Sequence, residues 1–166
     1  MDLNSWLTVM LLAASPVSEL RGAIPVAYYV FGWPLQLSWA VSVVINALAG
    51  IMVFLLLPRV VALLTRRFKK LALLYNIYSQ SALRRHGVKF KLRGLIGLFI
   101  FIAIPLPFTG AWTGALLAYL FNFPKRATAL VTVGAVATAG LLVVGVMALG
   151  QAVPALIREL IIGKIS

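Results

Sequence analysis

The chain has 166 residues, of which 63% are hydrophobic, and its mean hydropathy is +1.05. Soluble domains are about 45–50% apolar, so this composition excludes a soluble globular protein and predicts a single-domain, all-α integral membrane protein. The net charge is +12 and there is no cysteine, which excludes disulfides and thiol chemistry.

The first predicted element is an apolar stretch from Leu3 to Trp33 that is interrupted near its middle at Ser15-Pro16. Because proline removes a backbone donor and disfavours helix in the preceding residue, the stretch divides into halves of roughly 12–15 residues. Neither half is long enough to span a bilayer alone. The start of the chain lacks the basic region of a signal peptide, so we expect this segment to be retained.

Two charged residues, Glu19 and Arg21, lie inside this stretch, and Glu19 is the only carboxylate far from the ends of the sequence. Ionisable residues at bilayer depth cost roughly 2.5 kcal/mol or more, so they usually line a cavity, pair, or carry protons and substrates. Glu19 can exchange a proton there, and Arg21 can bind a phosphate through two parallel hydrogen bonds. Ser18 and Pro25 flank the pair and complete the candidate site in this half of the chain.

A structural alternative is that Glu19 and Arg21 neutralise each other or satisfy backbone groups freed at the break. Residues two apart on a regular helix do not face each other, so a simple intrahelical ion pair is disfavoured. We therefore favour a role for both residues in substrate binding and coupling.

The next element, Leu35 to Pro58, is predicted to be a transmembrane helix, because its 24 positions can cross about 30 Å of hydrocarbon. Asn46 at mid-span is either an interhelical hydrogen-bonding residue or part of the site. Residues 59–93 follow as a basic amphipathic linker that holds ten of the 15 Lys and Arg residues. The positive-inside bias predicts that this linker is cytoplasmic or interfacial. The placement of the basic residues therefore indicates an inner-membrane protein rather than a protein that binds nucleic acid.

The second half of the chain has a similar order of elements. Gly94 to Phe123 is apolar and is interrupted at Pro105-Leu106-Pro107, and Ala127 to Val153 is predicted to be a second transmembrane helix. Residues 154–166 form a predicted C-terminal amphipathic tail. The chain thus divides into repeat 1 (residues 1–58), the linker (59–93), repeat 2 (94–153) and the tail.

The second half-helix of each broken stretch is expected to begin near Ser18 in the first case and near Thr109 in the second. Both residues are suited to capping exposed N–H groups. The positive ends of the half-helices favour an anion such as a phosphate or a carboxylate.

We expect Thr109, Trp112 and Thr113 to line the same cavity as Glu19, beside the turn that contains Pro105 and Pro107. The alternative is a purely structural turn in which Gly110 and Gly114 form a close-packing face. Both interpretations remain open at the level of sequence.

A shift of the chain by 90 residues aligns the two halves, with eight identities in the 22 positions from 29 to 50. The identical pairs are Tyr29/Tyr119, Phe31/Phe121, Pro34/Pro124, Val41/Val131, Val43/Val133, Ala47/Ala137, Ala49/Ala139 and Gly50/Gly140. Because one crossing separates the copies, they are inverted in the membrane. Inverted repeats with broken helices that meet near the midplane are typical of secondary transporters.

Two topologies are compatible with the broken stretches, which either span the membrane or enter and return as re-entrant hairpins. A spanning second stretch would place Lys125 and Arg126 opposite the basic linker, whereas a hairpin places them on the same side. The charge bias therefore favours two re-entrant hairpins, with both chain termini outside.

The segments Ser18–Pro25 (SELRGAIP) and Ile104–Ala115 (IPLPFTGAWTGA) resemble the prokaryotic small multidrug export proteins. That family is in turn similar to the DedA/VTT membrane proteins, whose fold has two facing re-entrant hairpins. Members of the latter group are implicated in flipping undecaprenyl phosphate or scrambling phospholipids. The resemblance implies an acid before a proline in the first hairpin, matched by Glu19 and Pro25, and a proline turn in the second, matched by Pro105.

These observations predict a transporter or lipid flippase for an anionic, phosphate-bearing substrate, with proton coupling through Glu19. The alternatives are an exporter of lipophilic cationic drugs, which the positive charge of Arg21 disfavours, and a structural, lipid-organising membrane protein without a transport cycle. An enzyme is least favoured, since one carboxylate without a His, Cys or metal cluster offers little catalytic equipment. We expect no cofactor and no metal; the expected partners are membrane lipids and the substrate, and a homodimer is compatible with the sequence.

Overall fold

The computed structural model describes residues 2–67, 88–104 and 109–162, and the regular structure in these ranges is helical. In chain order the elements are α1 (Leu3–Ala14), α2 (Glu19–Pro25) with a π-helical turn (Val26–Val30), α3 (Leu35–Arg67), α4 (Val88–Ala103), α5 (Ala111–Leu120) and α6 (Lys125–Ile162). This confirms the all-α prediction for the described residues.

Both predicted breaks are present. The first apolar stretch stops at Ala14 and resumes at Glu19, and the second stops at Ala103 and resumes at Ala111. The predicted turn residues Pro105 and Pro107 lie outside the described residues. Each broken stretch therefore consists of helices that are shorter than the roughly 20 residues needed to cross a bilayer.

Within the described ranges two helices are long and apolar enough to cross a membrane, with candidate spans at Leu35–Thr65 and Lys125–Gly150. Both helices exceed their predicted bounds, because α3 continues through Pro58 to Arg67 and α6 continues beyond Val153 to Ile162. Pro58 has no N–H to donate and so removes one backbone hydrogen bond, yet the helix continues past it.

The ends of the predicted linker are consequently helical extensions. Residues 59–67 belong to α3 and residues 88–93 belong to α4. The prediction of an interfacial segment in between concerns residues 68–87, which lie outside the described residues. The first part of the predicted tail, residues 154–162, continues α6.

Pro25 marks a change of helix type rather than the end of the first broken stretch. It is the last residue of α2, and the chain then widens into the π-helical turn Val26–Val30. Proline has no N–H to donate, and π-helical turns occur where the regular ladder is disturbed. The stretch ends at Trp33, which is buried against Trp6 of α1 with ring centroids 4.5 Å apart.

The two long helices form the centre of the molecule and contact each other. The half-helices α2 and α5 each pack against both α3 and α6, while α1 packs on α3 and α4 packs on α6. Gly50 allows a close approach here, since a Cβ at this position would lie 2.7 Å from the Cβ of Ala111 at the start of α5. The beginning of α5 is thus held against the middle of α3.

Candidate functional site

The two breaks meet in space. We call residues 15–21 the first tip and residues 109–113 the second tip. Side chains and backbone groups of the two tips contact each other although they are about 90 residues apart in the sequence. The site is therefore formed jointly by the two broken stretches.

Glu19 places its carboxylate at the beginning of α5. Its Oε1 accepts a long hydrogen bond of 3.4 Å from the N–H of Trp112, and the N–H of Ala111 lies beside the same carboxylate. The first N–H groups of a helix have no partner within the helix and carry partial positive charge. Glu19 therefore acts as the capping anion of α5, supplied from a distant segment.

The backbone at both ends of this contact is unusual. Glu19 has a φ of +49°, in the left-handed region, where a non-glycine residue costs about 1–3 kcal/mol. Gly110 has a φ of +155°, and a Cβ at Gly110 would overlap the Glu19 carboxylate. Such strain persists where surrounding contacts impose it, as they frequently do at functional sites.

Arg21 makes the second contact between the tips. Its Nη2 donates to the carbonyl oxygen of Thr109, and it lies 3.2 Å from the Thr109 hydroxyl oxygen. The same nitrogen is 4.0 Å from Oε2 of Glu19, at the outer limit of an ion pair. Arg21 thus bridges the carboxylate of the first tip and the backbone of the second.

Trp112 makes the third contact. Its indole Nε1 donates to the carbonyl oxygen of Ala14 over 3.1 Å. Ala14 is the last residue of α1, whose final carbonyls have no partner within the helix. Each tip therefore satisfies backbone groups that the break in the other helix exposes.

A cavity of about 270 Å³ opens between the tips. It is lined by Pro16, Val17, Ser18, Glu19, Arg21, Thr109, Trp112 and Thr113. Within it the Arg21 side chain is 22% exposed and the Glu19 side chain only 8%. The charge that is accessible to a ligand is therefore mainly the guanidinium of Arg21.

The position of Asn46 places the tips at mid-depth of the predicted span. Asn46 follows Leu35 by eleven residues, which corresponds to about 16 Å along α3 and to roughly half of a 30 Å hydrocarbon core. The Asn46 side chain lies beside the Glu19 carboxylate. Glu19 and Arg21 consequently lie near the middle of the predicted span.

Asn46 is 1% exposed, and neither its amide nitrogen nor its amide oxygen has a hydrogen-bond partner in the described part of the chain. The hydroxyl of Ser42, one turn earlier on the same face of α3, is likewise buried and unpartnered among these residues. Each buried polar group without a partner costs about 1–3 kcal/mol. Such a cost at the centre of a helix bundle requires an explanation.

Most of the predicted site residues come together. Ser18, Glu19, Arg21, Thr109, Trp112 and Thr113 line one cavity, and Asn46 lies behind Glu19. Pro25 is half-buried at the end of α2 and is not a lining residue. Pro105 and Pro107 lie outside the described residues.

Two details of the prediction are wrong. Ser18 makes no side-chain capping bond to α2, and the residue before α5 is Gly110 rather than Thr109, whose hydroxyl donates to the carbonyl oxygen of Ile104. The Glu19–Arg21 approach was disfavoured from regular helical spacing, yet the two side chains lie within 4.0 Å. The left-handed φ of Glu19 takes it out of that regular spacing.

Sequence reasoning missed the role of Gly110 and the lining residues Pro16 and Val17. Gly110 and Gly114 were considered as one packing face, but they meet different partners, since a Cβ at Gly114 would contact Ile102 and one at Gly110 would overlap Glu19. The signal for Gly110 was its position directly before α5, where the chain must approach another group closely. In the described ranges there is no group of three His, Cys, Asp or Glu side chains that could hold a metal.

A family model described as "Putative small multi-drug export protein" matches residues 19–142, which is more than half of the chain. The chain belongs to this family. The matched region begins at Glu19 and includes the charged residues of the first tip, the whole second tip and the two candidate membrane spans up to residue 142. This confirms the predicted membership and a membrane location, while the relationship to the DedA/VTT proteins stays a prediction. No curated protein and no solved structure matches the chain.

Proposed function

We propose that this member of the small multi-drug export family moves an anionic, phosphate-bearing substrate across the inner membrane and exchanges a proton at Glu19. Family membership supports membrane transport in general. The substrate class is inferred from the cavity, in which the accessible charge is that of Arg21 while Glu19 is buried against the start of α5. Guanidinium groups and helix N-termini both favour phosphate oxygens.

We further propose that the two broken stretches are re-entrant hairpins that enter from opposite sides and form an inverted repeat. The short lengths of α1, α2, α4 and α5 support this, as does the meeting of the tips beside Asn46. In this arrangement the basic linker and the start of α6 face the cytoplasm, and the multi-pass chain has both termini outside. Lipids surround the hairpins and are the expected source of a phosphate-bearing substrate.

In the proposed cycle the substrate anion competes with the Glu19 carboxylate for the N–H groups of Ala111 and Trp112. The phosphate also binds the Arg21 guanidinium, which has more N–H donors than the contact with the Thr109 carbonyl uses. Glu19 then takes up a proton from a hydronium ion supplied by the aqueous phase, because two anions cannot share the same few donors in a medium of low dielectric constant. Departure of the substrate allows Glu19 to lose the proton and cap α5 again.

Substitution of Arg21 tests the sign of the substrate charge. Arg21→Lys keeps the charge but loses the planar two-point contact, and Arg21→Gln loses both. For labelled undecaprenyl phosphate we expect binding to the purified protein to fall from wild type to Lys to Gln. Competition by inorganic phosphate distinguishes recognition of the headgroup alone from recognition of the whole lipid.

Export of a lipophilic cation is the second candidate, because the description of the family names multi-drug export. In that case a quaternary ammonium dye would bind more tightly to the Arg21→Gln protein, since the competing positive charge is gone and Glu19 becomes available. Improved dye binding together with the absence of lipid-phosphate binding in all three forms would replace the anionic proposal. A protein that binds neither probe would favour the lipid-organising role, in which Glu19 and Arg21 only satisfy the backbone of the tips.

A further inference from the structure

A separate cavity of about 240 Å³ lies at the base of the second broken stretch, between α4, α5 and the segment that leads into α6. Its lining runs along α4 from Gly94 to Phe101 and includes Leu117, Phe121 and Phe123, and we call it the basal cavity. It is open on one side, and all seven lining residues are glycine, leucine or phenylalanine. The basal cavity is therefore apolar throughout and shares no residue with the cavity between the tips.

The local sequence explains the shape of the basal cavity. The Phe123 ring packs directly on Gly94, where a Cβ would lie 2.6 Å from the ring, whereas no described residue lies within 4 Å of a Cβ at Gly97. Asn122 has a left-handed φ of +52°, and the rings of Phe121 and Phe123 on either side of it stack with centroids 5.9 Å apart. Two rings thus face a stretch of helix backbone that has no side chain at position 97.

The first half of the chain is built differently at the corresponding place. A shift of 90 residues aligns Gly97 with Leu7 and Phe123 with Trp33. Trp33 is buried and packs on Trp6, with ring centroids 4.5 Å apart. The second half therefore has a glycine and a phenylalanine where the first half has a leucine and a tryptophan.

Three cationic side chains lie beside the basal cavity. Arg93 comes directly before Gly94, and Lys125 and Arg126 begin α6 shortly after Phe123. All three are exposed. Because Gly94 and Phe123 are in contact, the start of α6 and this part of α4 lie close together.

The protein supplies little negative charge to balance these cations. The first turn of α6 holds no acidic residue, although cations there face the positive end of the helix dipole. The sequence has no Asp or Glu between Glu19 and Glu159. Within the described ranges the salt bridge joins Arg21 to Glu19 and involves none of the three cations. An anion from outside the chain would relieve this unfavourable arrangement.

The depth of the basal cavity indicates what kind of anion fits. The second candidate span begins at Lys125, so the cations lie at the membrane boundary. From Gly94 to Phe101 the cavity follows α4 for about 10 Å towards the second tip. A matching ligand has a negative group at the boundary and an apolar chain that continues into the hydrocarbon.

We propose that the basal cavity binds an anionic phospholipid of the adjoining leaflet. One acyl chain lies in the cavity, and the phosphate lies between Arg93 and Lys125, where guanidinium and ammonium groups favour it. The bound lipid joins the start of the second hairpin to the start of α6. This site is distinct from the cavity between the tips and does not rest on the proposed transport.

The charge of the headgroup is tested with phosphatidylglycerol and phosphatidylcholine that carry identical acyl chains. Native mass spectrometry of the purified full chain measures the affinity for each lipid. Arg93→Gln combined with Lys125→Gln should weaken phosphatidylglycerol binding about tenfold or more and leave phosphatidylcholine binding nearly unchanged. The matched control combines Arg59→Gln with Arg67→Gln, which removes the same charge from exposed positions of α3 and should change either affinity less than about twofold.

The position of the acyl chain is tested by filling the basal cavity. Gly97→Leu introduces the side chain that the first half has at this place, and it should weaken the binding of both lipids about tenfold. Gly145→Leu is the matched control, because its Cβ position on α6 is likewise more than 4 Å from any described neighbour and it does not line the cavity. Gly97→Met is a second variant should the leucine form not fold, since its flexible side chain adapts to the space.

Equal losses of phosphatidylglycerol binding in the two charge variants would show a diffuse attraction to the basic surface and would overturn the proposal. Wild-type affinity in both Gly97 variants would show that no acyl chain occupies the cavity, with the same consequence. Competition by free glycerol phosphate as effective as that by the lipid would mean that a soluble anion is bound instead. None of these variants changes Glu19 or Arg21, so each result is independent of the proposed transport.

Discussion

Each tip lies at a break in a helix, where backbone groups need partners, and the two tips supply such partners with different chemistry. The first tip carries two full charges, Glu19 and Arg21, whereas no Asp, Glu, Lys, Arg or His occurs between Arg93 and Lys125 around the second. The second tip instead supplies peptide N–H groups, a carbonyl oxygen and the indole of Trp112. A broken helix in a membrane thus exposes backbone groups that can balance charges on another broken helix.

The comparison extends to the helices behind the tips. A shift of 90 residues aligns Glu19 with Thr109, Arg21 with Ala111, and Asn46 with Val136. The first half of the chain therefore holds the titratable and amide groups, and the second half holds hydroxyl, backbone and apolar groups at the same positions. We infer that coupling resides in the first half, while the second half supplies the binding surface to which the charges respond.

The largest expected effect concerns topology, on which the meeting of the tips depends. The chain has no cysteine, so single cysteines can be labelled from each side of intact cells or oriented vesicles. We expect cysteines at Arg67 and Lys125 to label from the cytoplasm and one at the exposed Asn4 to label from outside. Labelling of positions 67 and 125 on opposite sides would show that the second stretch crosses the membrane, and the inverted hairpins would be wrong.

The next largest effect is a loss of stability on substitution of Gly110. In Gly110→Ala the new Cβ overlaps the Glu19 carboxylate and φ is unfavourable. The displaced hydrogen bond and the backbone strain together should cost about 3 kcal/mol or more of stability in detergent micelles. Gly97→Ala is the matched control, because nothing lies within 4 Å of its Cβ position, and alanine should stabilise that helix by about 0.5–1 kcal/mol.

The Glu19→Ala background sharpens the same comparison. Removal of the carboxylate leaves the strain at Gly110 but removes the overlap, so Gly110→Ala should be less destabilising there than in wild type. Equal costs in the two backgrounds would mean that the second tip does not depend on Glu19. A Gly110→Ala protein as stable as wild type would contradict the close approach of the tips.

Much of the site could be predicted because its signals are local. Prolines in an apolar stretch indicated both breaks, and one acid and one base in such a stretch indicated the first tip. The partners of these charges could not be predicted, since the Glu19 contact joins residues 93 apart and depends on a left-handed φ at Glu19. Spacing rules for a regular helix therefore gave the wrong answer for the Glu19–Arg21 approach.

At the helix ends, by contrast, a local signal gave the wrong prediction. Pro58 was taken as the end of the first long helix, yet α3 continues to Arg67. Proline removes one backbone hydrogen bond, but the other hydrogen bonds of the helix continue past Pro58 and keep α3 helical to Arg67.

The central claim is that the Glu19 carboxylate occupies the anion-binding start of α5, and the N–H of Trp112 reports on it directly. The chain has four tryptophans, so protein labelled with ¹⁵N only at tryptophan gives a small set of NMR signals, and Trp112→Phe assigns those of Trp112. We predict that Glu19→Ala moves the backbone N–H signal of Trp112 upfield, that added inorganic phosphate moves it back, and that the exposed-site control Asp2→Asn changes nothing. A Trp112 signal that is the same in wild type and Glu19→Ala, with no response to phosphate in either, would contradict the account.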